Sequence, residues 1–108
     1  MDFYKLKISE HARNSRCERI AEIIAHIGLG QELHRCVYPN QYGERIEILT
    51  TTGVLLVVDK TETILITAYL AQMKSIERNY YNEPIPKLLY SVLKYNKRHY
   101  RELFDISE

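Results

Sequence analysis

Tryptophan is absent from this chain of 108 residues, and cysteine and phenylalanine occur only twice each. Cys17 and Cys36 stand far apart and form no C-x-x-C pair. That argues against a disulfide framework and for a reduced, cytoplasmic protein. Nowhere do 18 apolar residues run together, which argues against a membrane span. The opening MDFYKLKIS has neither an apolar core nor a cleavage site of the secretory kind. Charge of one sign is missing too: the formal net charge is +1, with no acidic or basic tail, so a nucleic-acid surface must come from local clustering. His11, His26, His34 and His99 are scattered, and none has a partner at zinc-ligand spacing. There is no Gly-rich phosphate loop, no G-x-S-x-G and no evident carboxylate pair. Neither a metal nor a cofactor is expected.

What is present reads as a single α+β domain over residues 1–108, with a helix and antiparallel sheet in 1–71 and a helical extension in 72–108. Its centre is Gly43–Ala71, GERIEILTTTGVLLVVDKTETILITAYLA, which predicts three strands joined by turns at Thr50–Gly53 and Asp59–Glu62. Ile46 and Ile48 alternate with Glu47, as in a strand with one wet face. The unbroken run Val54–Val58 predicts the central strand, covered on both faces.

Before this meander, residues 3–8 fit a short edge strand, with Lys5 and Lys7 discouraging further pairing. Ser9 is a suitable cap for a helix running to Ile27, with Gly28 as its stop. Ile20, Ile23, Ile24 and Ile27 share one stripe, which continues backward to Arg16 and Arg13 and so directs both arginines toward the sheet; His26 lies off it. Residues 29–43 are the least legible: Gln31–Val37 fits a short helix or a strand, and Tyr38-Pro39-Asn40 reads as a turn. Gln72–Tyr81 is weakly helical, with Met73, Ile76 and Tyr80 in step. Pro86 opens a last helix to about Phe104, with Leu89, Val92, Leu93, Tyr100, Leu103 and Phe104 as its apolar face.

Three clusters carry chemical interest. His11, Arg13, Arg16 and Arg19 combine a titrating group with phosphate-gripping guanidiniums, the needs of metal-free RNA cleavage. Equally they are ordinary helix charges, Arg13 and Arg16 pairing with carboxylates such as Glu47 or Asp59. Thr67 and Tyr69 share a strand face by period two, with Leu65 preceding them; packing preference alone also favours both. The last helix gathers Lys87, Lys94, Lys97, Arg98 and Arg101 opposite its apolar face, flanked by Tyr90 and Tyr95. No acidic residue falls between 87 and 101. That row matches a phosphate backbone as well as it does a solvated surface.

The order Ser9-Glu10-His11-Ala12 through Arg19, then TGVLLVVD and ITAY, resembles small phage- and prophage-associated proteins of the RelE/BrnT-like division of the barnase–EndoU–colicin–RelE ribonuclease fold. The resemblance covers roughly residues 5–71. It implies a cleft lined by His11, Arg16 or Arg19, Thr67 and Tyr69, and a setting in the host bacterial cytoplasm. The family tends to place arginines four and eight residues after the histidine; here Ser15 takes the first place, Arg16 follows it, and Arg19 keeps the second. Two functions follow. One is a phage-type inhibitor that binds RNA, a host nucleoprotein or another host protein and blocks it, in an anti-CRISPR-like or other anti-defence role. Its contacts would be Arg13, Tyr90, Lys94, Lys97, Arg98 and Arg101. The other is a metal-independent, toxin-like RNase built on His11 with the Arg, Thr and Tyr groups.

Overall fold

The computed structural model describes residues 7–8, 23, 25–41 and 43–101. Its class is α+β. Five strands form one sheet: β1 (Lys7–Ile8), β2 (Glu32–Asn40), β3 (Gly43–Thr50), β4 (Val54–Asp59) and β5 (Ile64–Leu70), in the spatial order β1-β5-β4-β3-β2. Strands β2 to β5 are antiparallel neighbours. Of the expected edge strand at 3–8, Lys7–Ile8 is described, and it pairs parallel to Ile64–Leu65. Two helices follow, α1 (Met73–Asn79) and α2 (Lys87–His99).

The run Val54–Val58 takes the middle place, and every one of its residues is buried. Period-two geometry sends alternate side chains to opposite faces, so the sheet has two apolar layers. Val54, Leu56 and Val58 join Ile46, Ile48, Ala68, Leu70, Ile23 and Leu29 on one face. Leu55 joins Leu49, Ala71, Ile76, Tyr80 and Leu89 of the helices on the other.

Residues 38–40 continue β2, pairing with Gly43–Arg45, and the turn residue is Gln41. Pro39 is tolerated because β2 is an edge strand, where a missing N–H breaks no ladder on the outer side. Leu65 does not share a face with Thr67. A register irregularity opposite Val57 and Val58 inserts an extra residue, so Leu65 packs with Ala68 and Leu70. The last helix stops at His99, with Tyr100 as its cap; Leu103 and Phe104 lie outside the described residues. Within α2, Leu89 is buried and Val92 and Leu93 are half-buried, as their spacing predicts. The helix expected from Ser9 lies outside the description except for helical Ile23, Ala25 and His26. These helical residues are followed by Gly28, whose φ is +75° and whose N–H bonds the Ile23 carbonyl at 3.2 Å.

The β3–β4 turn ties the layers together. Thr52 Oγ1 donates to the Gly28 carbonyl at 2.9 Å, and the Thr51 N–H to the Gln31 carbonyl at 2.8 Å. From α2, Asn96 Nδ2 reaches the Thr52 carbonyl at 2.8 Å. Asn96 is buried, so this bond satisfies an amide that would otherwise be stranded away from water.

Candidate functional site

Alternation in β3 predicts a solvent-facing Glu47; the structure buries it, at 2% exposure. The reason is α1, whose last turn lies over this part of the sheet and brings two polar groups down to the carboxylate. Arg78 Nη2 lies 2.5 Å from Glu47 Oε2. Asn79 Nδ2 donates to the Glu47 carbonyl at 3.1 Å and to Oε1 at 3.4 Å. Tyr69 of β5 donates its hydroxyl to Oε2 at 3.2 Å and accepts from Arg78 Nη2 at 2.9 Å. A charged side chain survives burial only when its lone pairs are occupied in this way.

The network shapes the groups in it. Burial, and secondarily the nearby Glu47 charge, pushes the Tyr69 phenol up to about 12. Burial acts against the charge of Arg78, but the hydrogen bond and charge of Glu47 outweigh it and hold that guanidinium above its ordinary pKa. Asn79 also extends the network sideways, its Oδ1 lying 2.7 Å from His34 Nδ1. The other ring nitrogen of His34 contacts Glu83, and the ring stacks on Tyr80 with centroids 4.0 Å apart. Edge strand, α1 and the loop after it are thus joined by one polar chain.

Past the end of α1 the same sheet face opens into a cavity of about 440 Å³. Val57 and Ile66 are its apolar lining. Tyr38, Tyr69, Arg45 and Arg78 stand around them, with Glu47, Thr67 and Cys36 between. Thr67 and Tyr69 are therefore brought together on one cavity, as their spacing predicts. Glu47 and Arg78 come to it from places that spacing does not mark. His11, Arg13, Arg16 and Arg19 lie outside the described residues. The pairing of Arg13 and Arg16 with carboxylates such as Glu47 or Asp59 lies outside them too. Glu47 has Arg78, and Asp59 Oδ1 accepts the N–H groups of Thr63 and Ile64 at 2.9 Å each. Among the described residues no group of three His, Cys, Asp or Glu side chains is arranged to hold a metal ion, and no helix is long and apolar enough to cross a membrane.

The second surface is the outer side of α2. Lys87, Lys94, Lys97 and Arg98 are all exposed, and at ~100° per residue they fall within an arc of roughly 100°. Arg101, just past the cap, is exposed as well. None of these cations is in an ion pair with a described residue. Tyr90 falls inside the arc at 49% exposure. Tyr95 does not: its ring leans on His99 at 4.2 Å and meets Tyr100 edge-on at 6.3 Å. The two tyrosines expected to flank the basic row differ, one free and one held.

No family model, no curated protein and no solved structure matches the chain.

Proposed function

We propose that the protein binds single-stranded nucleic acid, RNA in the first instance, through the outer face of α2, and does so without cleaving it. The supporting observation is that Lys87, Lys94, Lys97 and Arg98 occupy one exposed arc with Tyr90 among them, while no carboxylate occurs between residues 87 and 101. Cations without carboxylate neighbours retain their full attraction for phosphate, and each phosphate they neutralise releases a condensed counterion. An exposed phenol ring inside such a row offers a stacking surface for an unpaired base. Lys97, Arg98 and His99 also fall in the last turn of the helix, where they complement the helix dipole. That structural use leaves their outer faces available. In the phage setting that the resemblance implies, such a surface would serve to block a nucleic-acid site of a host factor.

Cleavage is the weaker reading. Tyr69, with its phenol pushed up to about 12 and its hydroxyl engaged by both Glu47 and Arg78, is a poor base near neutral pH. The deciding experiment is fluorescence-polarisation binding of a labelled single-stranded RNA across a salt series. Wild type is expected to bind with strong salt dependence. Lys94→Gln/Lys97→Gln/Arg98→Gln is expected to weaken binding and flatten the slope by about 0.7 for each phosphate that is no longer neutralised. Unchanged binding in that variant would refute the proposal.

A further inference from the structure

We propose that the cavity on the sheet face is a second, separate binding site whose ligand is a small organic monocarboxylate: one carboxylate group on an apolar body.

The donors and acceptors lining the cavity favour an anion. Its own carboxylate is used up, because Glu47 Oε2 accepts from Arg78 and Tyr69 and Oε1 accepts from Asn79. The groups left open are donors. Arg78 commits only Nη2, so its Nε and Nη1 have no acceptor among the described residues. Arg45 gives Nη1 to the Glu44 carbonyl at 3.2 Å and keeps the rest of its fork free of described partners. The Tyr38 hydroxyl likewise bonds no described residue. With two arginines against one glutamate, the lining carries one net positive charge. A monoanion balances that charge; a phosphate dianion leaves one negative charge unmatched, and a cation is repelled.

Preorganisation and shape narrow the choice. Glu47 is buried and holds the Arg78 guanidinium in one orientation, so less freedom is lost when one of its remaining N–H groups, Nε or Nη1, donates to a ligand carboxylate. Val57, Ile66 and the rings of Tyr38 and Tyr69 supply apolar contact beside the donors. Roughly 300–1,000 Å³ is usual for small-molecule sites, and about 440 Å³ falls within it. A ligand with a charged end and an apolar end uses both halves of this lining.

The test is a ¹H–¹⁵N titration of the full chain with benzoate and hexanoate, set beside inorganic phosphate and adenosine monophosphate. Saturable shifts are expected for both carboxylates at Arg45, Val57 and Thr67, with affinities on the order of millimolar, as for ligands of so few atoms. Arg45→Gln is expected to weaken binding about tenfold by removing a charge-assisted donor. Tyr38→Phe keeps the ring, loses the hydroxyl, and is expected to weaken binding severalfold; it carries the test if Arg45→Gln fails to fold. The α2 triple variant is expected to bind benzoate like wild type, which separates this site from the RNA surface. No saturation with either carboxylate, wild-type affinity in the folded variants, or tighter binding of phosphate or the nucleotide would each overturn the proposal.

Discussion

Arg78 and Glu47 form an ion pair in which one partner is exposed and the other is not. The Arg78 side chain is 60% exposed, the Glu47 side chain 3%, and Nη2 and Oε2 are 2.5 Å apart. The arginine therefore contributes little by reaching its partner from water, and much by preventing a carboxylate from being stranded under α1. Arg78→Ala is expected to cost about 2 kcal/mol, less than for a fully buried pair because water can enter and Tyr69 and Asn79 remain. Urea unfolding measures it. Glu47→Gln, which keeps the amide contacts without a charge, should cost less than Arg78→Ala; the reverse order would show that Glu47 is not the member that needs the partner.

Tyr69 makes stability pH-dependent at the alkaline end. Its phenol is held at about 12 in the fold, against roughly 10 for an unfolded tyrosine. Above pH 10 the unfolded chain releases this proton while the folded one keeps it. The contribution is thus fully present below about pH 10 and is lost as pH rises through about 12. Tyr69→Phe should flatten the fall in unfolding free energy across that window relative to wild type. Identical slopes would contradict the assignment.

The β3–β4 turn should be intolerant of its smallest change. Gly53 has φ +83°, and a Cβ there would stand 2.7 Å from Asn96 Nδ2 and 2.9 Å from Val92 Cγ1. Gly53→Ala combines an unfavourable backbone region with a clash against α2, and is expected to cost about 2 kcal/mol. Thermal melting of this variant and of Asn96→Ala, which removes the bond to the Thr52 carbonyl, tests whether α2 is anchored here.

Leu56 is 1% exposed in the middle strand. Leu56→Ala is expected to cost about 2–5 kcal/mol, as for other large-to-small changes in a closed core. A shift within about 0.5 kcal/mol, typical of surface positions, would show the strand to be peripheral.

If the protein binds RNA without cutting it, labelled RNA incubated with excess protein remains intact on a denaturing gel. His11→Ala and Tyr69→Phe should then leave RNA affinity near wild type. Multiple-turnover cleavage lost on His11→Ala would instead establish the ribonuclease reading.

Much of the framework was legible in residue patterns. The run Val54–Val58 announces a strand buried on both sides, because no polar residue interrupts it. The 3.6-residue spacing of Leu89, Val92 and Leu93 places α2's buried side, and the cations opposite follow from it. β2 was not legible: Arg35, Val37 and Pro39 alternate with His34, Cys36 and Tyr38 in no clear apolar pattern, because an edge strand is half exposed. Arg35 instead meets Glu32 of its own strand and Glu62 of the β4–β5 turn, and no local spacing encodes the second of these contacts.

The sequence by itself determined the α+β class, the central strand and the basic side of α2, since each depends on periodicity within one segment. Tertiary structure alone decided the fate of Glu47. Alternation marks it as solvent-facing, and it is buried because α1, more than twenty residues later in the chain, lays Arg78 and Asn79 over it. Tertiary structure also decided that Leu65 parts from Thr67, since a one-residue irregularity in pairing with β4 reverses which face each side chain takes. The cavity has the same origin. Its residues come from β2, β3, β4, β5 and α1, and the free energy that brings them together belongs to burial of the two apolar layers, not to any preference of the cavity residues themselves.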